Sequence, residues 1–144
     1  MSHICIVIAR FYEDIADELV RGAVGALEAD GMTYEVIEVP GAFEIPAVVR
    51  MAIKSGKYNG YVALGCVIRG ETTHYDYVCG ESAHGLSQLA LEFMAPVGYG
   101  ILTVENSEQA WARAAVSQGN KGKDAVVACL RMIAIKNHMG IHES

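Results

Sequence analysis

"GYVALGCVIRGETTHYDYVC", residues 60–79, holds the change of pattern that decides the fold. Residues 60–68 are apolar almost without interruption, as expected of a strand covered on both faces. The chain then turns polar through Gly70, Glu71, Thr72, Thr73 and His74. From 75 to 94 small and apolar side chains recur at helical spacing, with Gly80 and Gly85 as weak points. A buried strand that passes through a short polar corner into a helix is half of a parallel-sheet crossover.

The same half-unit recurs along the chain. "HICIVIA" (3–9) reads as a strand, and the helix after it places Ile15, Leu19, Ala23 and Leu27 four residues apart. Glu13 and Asp14 suit its first turn, and Gly31 its end. "YEVIEV" (34–39) is a second strand, cut off by "PGAFEIP"; Pro46 opens a helix that Gly56 closes. "VGYGILTV" (97–104) is a fourth strand, and "NSEQAWARAA" (106–115) begins with an Asn–Ser cap. Past the break "QGNKGK" (118–123), a last helix is expected over 124–140. Four strand-to-helix alternations with short connections predict an α/β protein: a three-layer α/β/α sandwich on a four-stranded parallel sheet, in one domain over 1–144.

Composition narrows the function. The chain has 144 residues, of which 52% are hydrophobic, enough for a sizeable core. Only 19% are charged, and that deficit points to surface buried against other subunits. A net charge of -6 with scattered Lys and Arg argues against a nucleic-acid partner. Cys5, Cys66, Cys79 and Cys129 lie in apolar segments without C-x-x-C spacing, as free thiols in a reducing compartment would. The opening residues suit neither a signal peptide nor a membrane span, so a cytoplasmic location is expected. His3, His84, His138 and His142 share no ligand spacing with one another or with the cysteines, so no metal is expected. No Ser/His/Asp order or G-x-S-x-G elbow points to nucleophilic catalysis.

Ligands of open parallel sheets collect at the carboxyl ends of the strands. Four polar corners leave those ends here: "RFYED", "VPGAFEIP", "CVIRGETTHYD" and "VENSEQ". At the third, a helix start with free N–H groups and a Thr hydroxyl makes an anion seat, with His74 beside it for proton transfer. Read singly, Thr72 is a helix cap, "PGAFEIP" a capped turn, and Arg113 a solvated residue sharing a helix face with Gln109. "GNKGK" follows a helix and lacks the phosphate-loop pattern; by itself it is a basic break between helices. Trp111 and the methionines are most simply packing.

"ARF", "VPGAFEIP", "GCVIRGETTHYDYVC", "YGILTVENSEQAWARA" and "GNKG", in order and at matching spacing over residues 4–133, resemble the lumazine synthase family of riboflavin biosynthesis. The resemblance implies a flavodoxin-like fold and an enzyme of the transferase class. Its two small-molecule substrates are 5-amino-6-(D-ribitylamino)uracil and 3,4-dihydroxy-2-butanone 4-phosphate, condensed to 6,7-dimethyl-8-ribityllumazine with loss of phosphate and water. No cofactor is implied. By position, Phe11 stacks on the pyrimidine, and Ala42, Phe43 and Glu44 hold the ring and ribityl chain. Cys66, Val67 and Ile68 line the same slot. Glu71 and Thr72 seat the phosphate, and His74 shuttles protons. A neighbouring subunit supplies Tyr99 over the ring, Arg113 on the phosphate and Lys121 nearby.

The site is therefore shared between neighbours in the family. Self-association into a pentamer is implied, with a decamer or a sixty-subunit shell as elaborations and riboflavin synthase as a further partner. Four positions depart from the family pattern: Tyr12 where Asn is frequent, Glu71 in place of a small residue, Tyr99 in place of Phe, and Ser117 where some relatives carry Lys. The N-terminus is shorter than in relatives with a leading strand that joins the neighbour's sheet, so that exchange is not expected. Two rival readings are a flavodoxin-like module that binds a flavin without turnover, and a shell protein devoted to enclosure.

Overall fold

The computed structural model describes residues 2–141. β1 (His3–Ala9) leads to α1 (Glu13–Ala29), then β2 (Thr33–Val39), a 3-10 turn (Ala42–Glu44) and α2 (Ile45–Ser55). β3 (Gly60–Ile68) leads to α3 (His74–Phe93), and β4 (Val97–Val104) to α4 (Ser107–Ala114) and α5 (Lys121–His138). The sheet is parallel throughout, in the order β2-β1-β3-β4.

Both faces of the sheet are covered, which is why its central strands show no polar alternation. Ile4, Ile6 and Ile8 of β1, with Val62 and Leu64 of β3, pack beneath α1, α4 and α5. Their neighbours Cys5, Val7, Ala63 and Ile101 pack beneath α2 and α3. The result is the expected three-layer, flavodoxin-like arrangement. Element ends follow local chemistry. Pro46 sits in the first turn of α2, and Gly56 closes that helix at φ +71. The Asn106 side chain caps α4 by accepting from the Gln109 N–H at 2.9 Å.

The last helix departs from expectation. It begins at Lys121, not Asp124, because Asn120 adopts a left-handed conformation (φ 49) and releases the chain into helix at once. "GNKGK" is therefore more than a basic break. A side chain at Gly122 would fall 2.0 Å from the Leu19 carbonyl oxygen of α1, so only glycine lets α1 and α5 approach this closely. Gly98 does the same for β4 beneath the Ala125 carbonyl, where a Cβ would stand at 1.9 Å.

Candidate functional site

The strand order reverses between β1 and β3, and there a cavity of about 240 Å³ opens at their carboxyl ends. Cys66, Val67 and Ile68, the last residues of β3, line one side. Phe11 and Tyr12 enter from the β1–α1 connection, and Ala42 from the 3-10 turn. Thr72 and His74 complete the rim. Phe11 is 73% exposed and stands edge-on to Tyr12, with ring centroids 4.9 Å apart, so a full aromatic face is available for stacking.

The polar corner is under-bonded. The Arg69 N–H extends the ladder by donating to Val104 O at 2.9 Å. Beyond it, the amides of Gly70, Glu71, Thr72 and Thr73 donate to no protein acceptor among the described residues. Thr73 occupies the cap position of α3 without a side-chain bond; instead Thr72 Oγ1 accepts from the His74 N–H at 3.3 Å. Consecutive unpaired N–H groups at a helix start favour an anion. His74 is exposed as the first residue of α3.

The cavity floor stays uncharged. Burial, with Cys79 nearby, pushes the Cys66 thiol up to about 11. Burial and then Cys66 push the Tyr12 hydroxyl upward, so it stays a hydrogen-bond donor at neutral pH. All four cysteines are free. Among the described residues no group of three or more His, Cys, Asp or Glu side chains could hold a metal ion; His142 lies outside them.

The remaining expected residues fall elsewhere. Tyr99, Arg113 and Lys121 line a separate groove of about 310 Å³ along β4, the free edge of the sheet. Arg113 Nη1 donates to Gln109 O at 3.1 Å and is otherwise exposed. Lys121 pairs with Asp124 at 3.4 Å; Asp124 lines the groove too, although the sequence suggested only a helix start there. The Tyr99 hydroxyl is pushed upward by burial, against an opposing hydrogen bond with Ser82. Phe43, Glu44 and Glu71 are exposed and stand outside the cavity lining, while Ser117 is exposed in the turn before α5. The 3-10 turn nevertheless sets Phe43 and Glu44 directly beside Ala42. Arg69, adjoining the corner, escaped the sequence reading, because a single Arg after a strand carries no motif.

Residues 1–137 match the family described as 6,7-dimethyl-8-ribityllumazine synthase. The chain is 52% identical to 6,7-dimethyl-8-ribityllumazine synthase 1 of Rhizobium meliloti, over 96% of this chain and 94% of that one. It is 53% identical to the 6,7-dimethyl-8-ribityllumazine synthase of Agrobacterium fabrum, over 96% and 97% of the two chains. With the Sphingopyxis alaskensis enzyme the identity is 50%, over 98% and 99%. Identity at this level across nearly the whole of each chain, on a parallel sheet with its cavity at the β1/β3 reversal, means that this chain belongs to the 6,7-dimethyl-8-ribityllumazine synthase family.

Proposed function

We propose that this chain is an enzyme that condenses 5-amino-6-(D-ribitylamino)uracil with 3,4-dihydroxy-2-butanone 4-phosphate to give 6,7-dimethyl-8-ribityllumazine. The amine adds to the ketone and loses water to form a Schiff base. Phosphate is then eliminated, the enol tautomerises, and the ribitylamino nitrogen closes the ring with loss of a second water. Each step moves protons, water or phosphate and leaves the redox balance unchanged, so no redox cofactor is called for.

One observation carries the reading: Phe11, Ala42, Cys66, Val67, Ile68, Thr72 and His74 surround a single cavity beside four unpaired amides. In this reading the pyrimidine stacks on Phe11 and lies along the end of β3. Ala42, Phe43 and Glu44 hold the ring edge and the ribityl chain. The phosphate sits over the amides of residues 70–73, with Thr72 as a further donor. Glu71 serves through its main chain, its carboxylate turned to solvent. His74 carries protons between successive steps, a task suited to imidazole near neutral pH.

No cation stands among the residues that line the cavity. Arg113 and Lys121 lie on the β4 groove instead, with Tyr99. We therefore take Arg113, Lys121 and Tyr99 to serve the cavity of a neighbouring copy in a pentamer, and the chain to act as one domain within it. The exposed apolar side chains Met51, Leu91, Met94 and Val127 suit such burial. Among the described residues no helix is long and apolar enough to cross a membrane; we place the enzyme in the cytoplasm, where its free thiols stay reduced.

The test is turnover. Protein mixed with both substrates should develop lumazine absorbance and release phosphate in equal amounts. Tight flavin binding without product would favour a binding module, and large particles without product a shell protein; either would overturn the proposal.

A further inference from the structure

We propose that Arg69 is the positioning residue of the phosphate corner. It holds the first turn of α3, and with it His74 and the free amides, against the end of β4. The inference rests on the reading above for its activity assays, though not for its structural one.

Arg69 stands where the sheet ladder ends. Its amide makes the final bond to Val104 O at 2.9 Å, and nothing in the next four residues bonds back to the sheet through its N–H. No backbone N–H of the corner ties it to the sheet, so side chains do: Tyr75 hydrogen-bonds Thr103 of β4, and Arg69 bridges to the residue after that strand. Arg69 Nε lies 3.0 Å from one Glu105 carboxylate oxygen and 3.2 Å from the other. Its guanidinium lies over the Tyr75 ring at 4.5 Å from the centroid, and Nη1 approaches Asp76 Oδ1 at 4.0 Å. One planar cation thus contacts the residue after β4 and the second and third residues of α3 at the same time.

The link continues on the β4 side. The Glu105 N–H donates to Gln109 Oε1 at 2.8 Å, and Gln109 O accepts from Arg113 Nη1 at 3.1 Å. Arg69 therefore braces the His74 corner against the helix that presents Arg113. An isolated exposed ion pair contributes little, but here one guanidinium engages two carboxylates and an aromatic face together. With its Nε on the Glu105 carboxylate and its face on Tyr75, the guanidinium is held by protein partners and, in this inference, acts by position. Its function is to keep the amides of 70–73 and the imidazole in a fixed relation, and displacement of a catalytic group by about 1 Å costs on the order of 10²-fold in rate.

Three variants test this: Arg69→Ala, Arg69→Lys and Glu105→Gln. Hydrogen exchange at the bonded amides of His74, Asp76 and Tyr77 reads the corner directly, whether or not the protein turns over. The expected result is faster exchange there in Arg69→Ala, with unchanged protection in β1 and α5 and an unchanged apparent melting temperature. In the assay, Arg69→Ala should lose kcat and raise KM for the butanone phosphate, while KM for the pyrimidine stays put. Arg69→Lys should fall between, because lysine keeps the charge but not the planar stack, and Glu105→Gln should follow the direction of Arg69→Ala with a smaller effect. Wild-type exchange and wild-type kinetics in Arg69→Ala would overturn the inference. So would a uniform loss of protection, melting temperature and both KM values, which would make Arg69 a general stabiliser. A wild-type protein without turnover, but with the localised exchange change on mutation, would sink the enzymatic reading and leave the brace intact.

Discussion

The cavity at the ends of β1 and β3 is walled mainly by apolar and aromatic side chains from the end of β3, the connections beside it and the start of α3; the groove along β4 is open and carries Arg113, Lys121 and Asp124. The first offers shape, an aromatic face and unpaired amides, but no cation. The second offers cations on an edge strand, with little to enclose a ligand. Each lacks what the other has. A groove of this kind has a use if it meets a cavity on another copy, and the phosphate seat proposed above would be incomplete without a cation for the loss of a dianionic leaving group.

The largest effect should come from taking the cation away. Arg113→Ala is expected to lower kcat/KM for the phosphate-bearing substrate about 10³-fold, in the range for a lost anion-stabilising donor. Steady-state kinetics with the pyrimidine saturating would check it, and a loss smaller than that of His74→Ala would break the division of labour. His74→Ala should cost about 10²-fold and leave measurable turnover, since proton transfer contributes less here than orientation. A variant that keeps the full wild-type rate would remove His74 from the proton path. Mixing the two variants during refolding sharpens the comparison, because a site shared between copies regains activity above that of either parent. If the mixture stays at or below the activity of the better parent, cavity and groove do not meet.

Smaller effects concern the scaffold. Gly122→Ala should destabilise the fold by about 1–3 kcal/mol, because the added methyl meets the α1 backbone and one helix must shift. Chemical denaturation measures it, and an unchanged midpoint would mean that α5 moves freely. The last effect is a dependence on alkaline pH. Burial pushes Cys5 and Cys129 up to about 12 and Cys66 to about 11, from 9.0 when exposed. Thiols raised in this way favour the folded state fully below pH 9. That contribution fades as pH climbs from 9 towards 11 and 12, because the unfolded chain releases those protons first. Melting temperature followed from pH 8 to 11 should fall accordingly, and less steeply in Cys129→Ala relative to its own value at pH 8.

Much of this was legible in the chain itself. Apolar runs such as 60–68 mark strands buried on both faces, and the β4–α4 cap at Asn106 is written in "NS". The residues of the cavity follow from the corners after each strand. Harder to read was "GNKGK": its glycines matter because another helix lies against them, and no local pattern states which backbone that will be. Asp124 was likewise hidden, since an acidic residue early in a helix is accounted for by the helix dipole until its partner Lys121 is seen. Arg69 lacked any signal, as its partners lie six and seven residues ahead on α3 and thirty-six ahead after β4.

The order of strands and helices, the two-sided burial of the sheet and the chemistry of its corners were determined by the sequence alone. Hydrophobic periodicity and capping are local properties, and each element carries its own signal. Which corners converge was decided only by the tertiary structure. Parallel crossovers placed β1 beside β3 and left β4 at the edge, so Phe11, Cys66 and His74 came to share a cavity while Arg113 and Lys121 were set on a free flank. Distance along the chain carries no record of that partition, because pairing between strands is a long-range event fixed by the packing of whole layers.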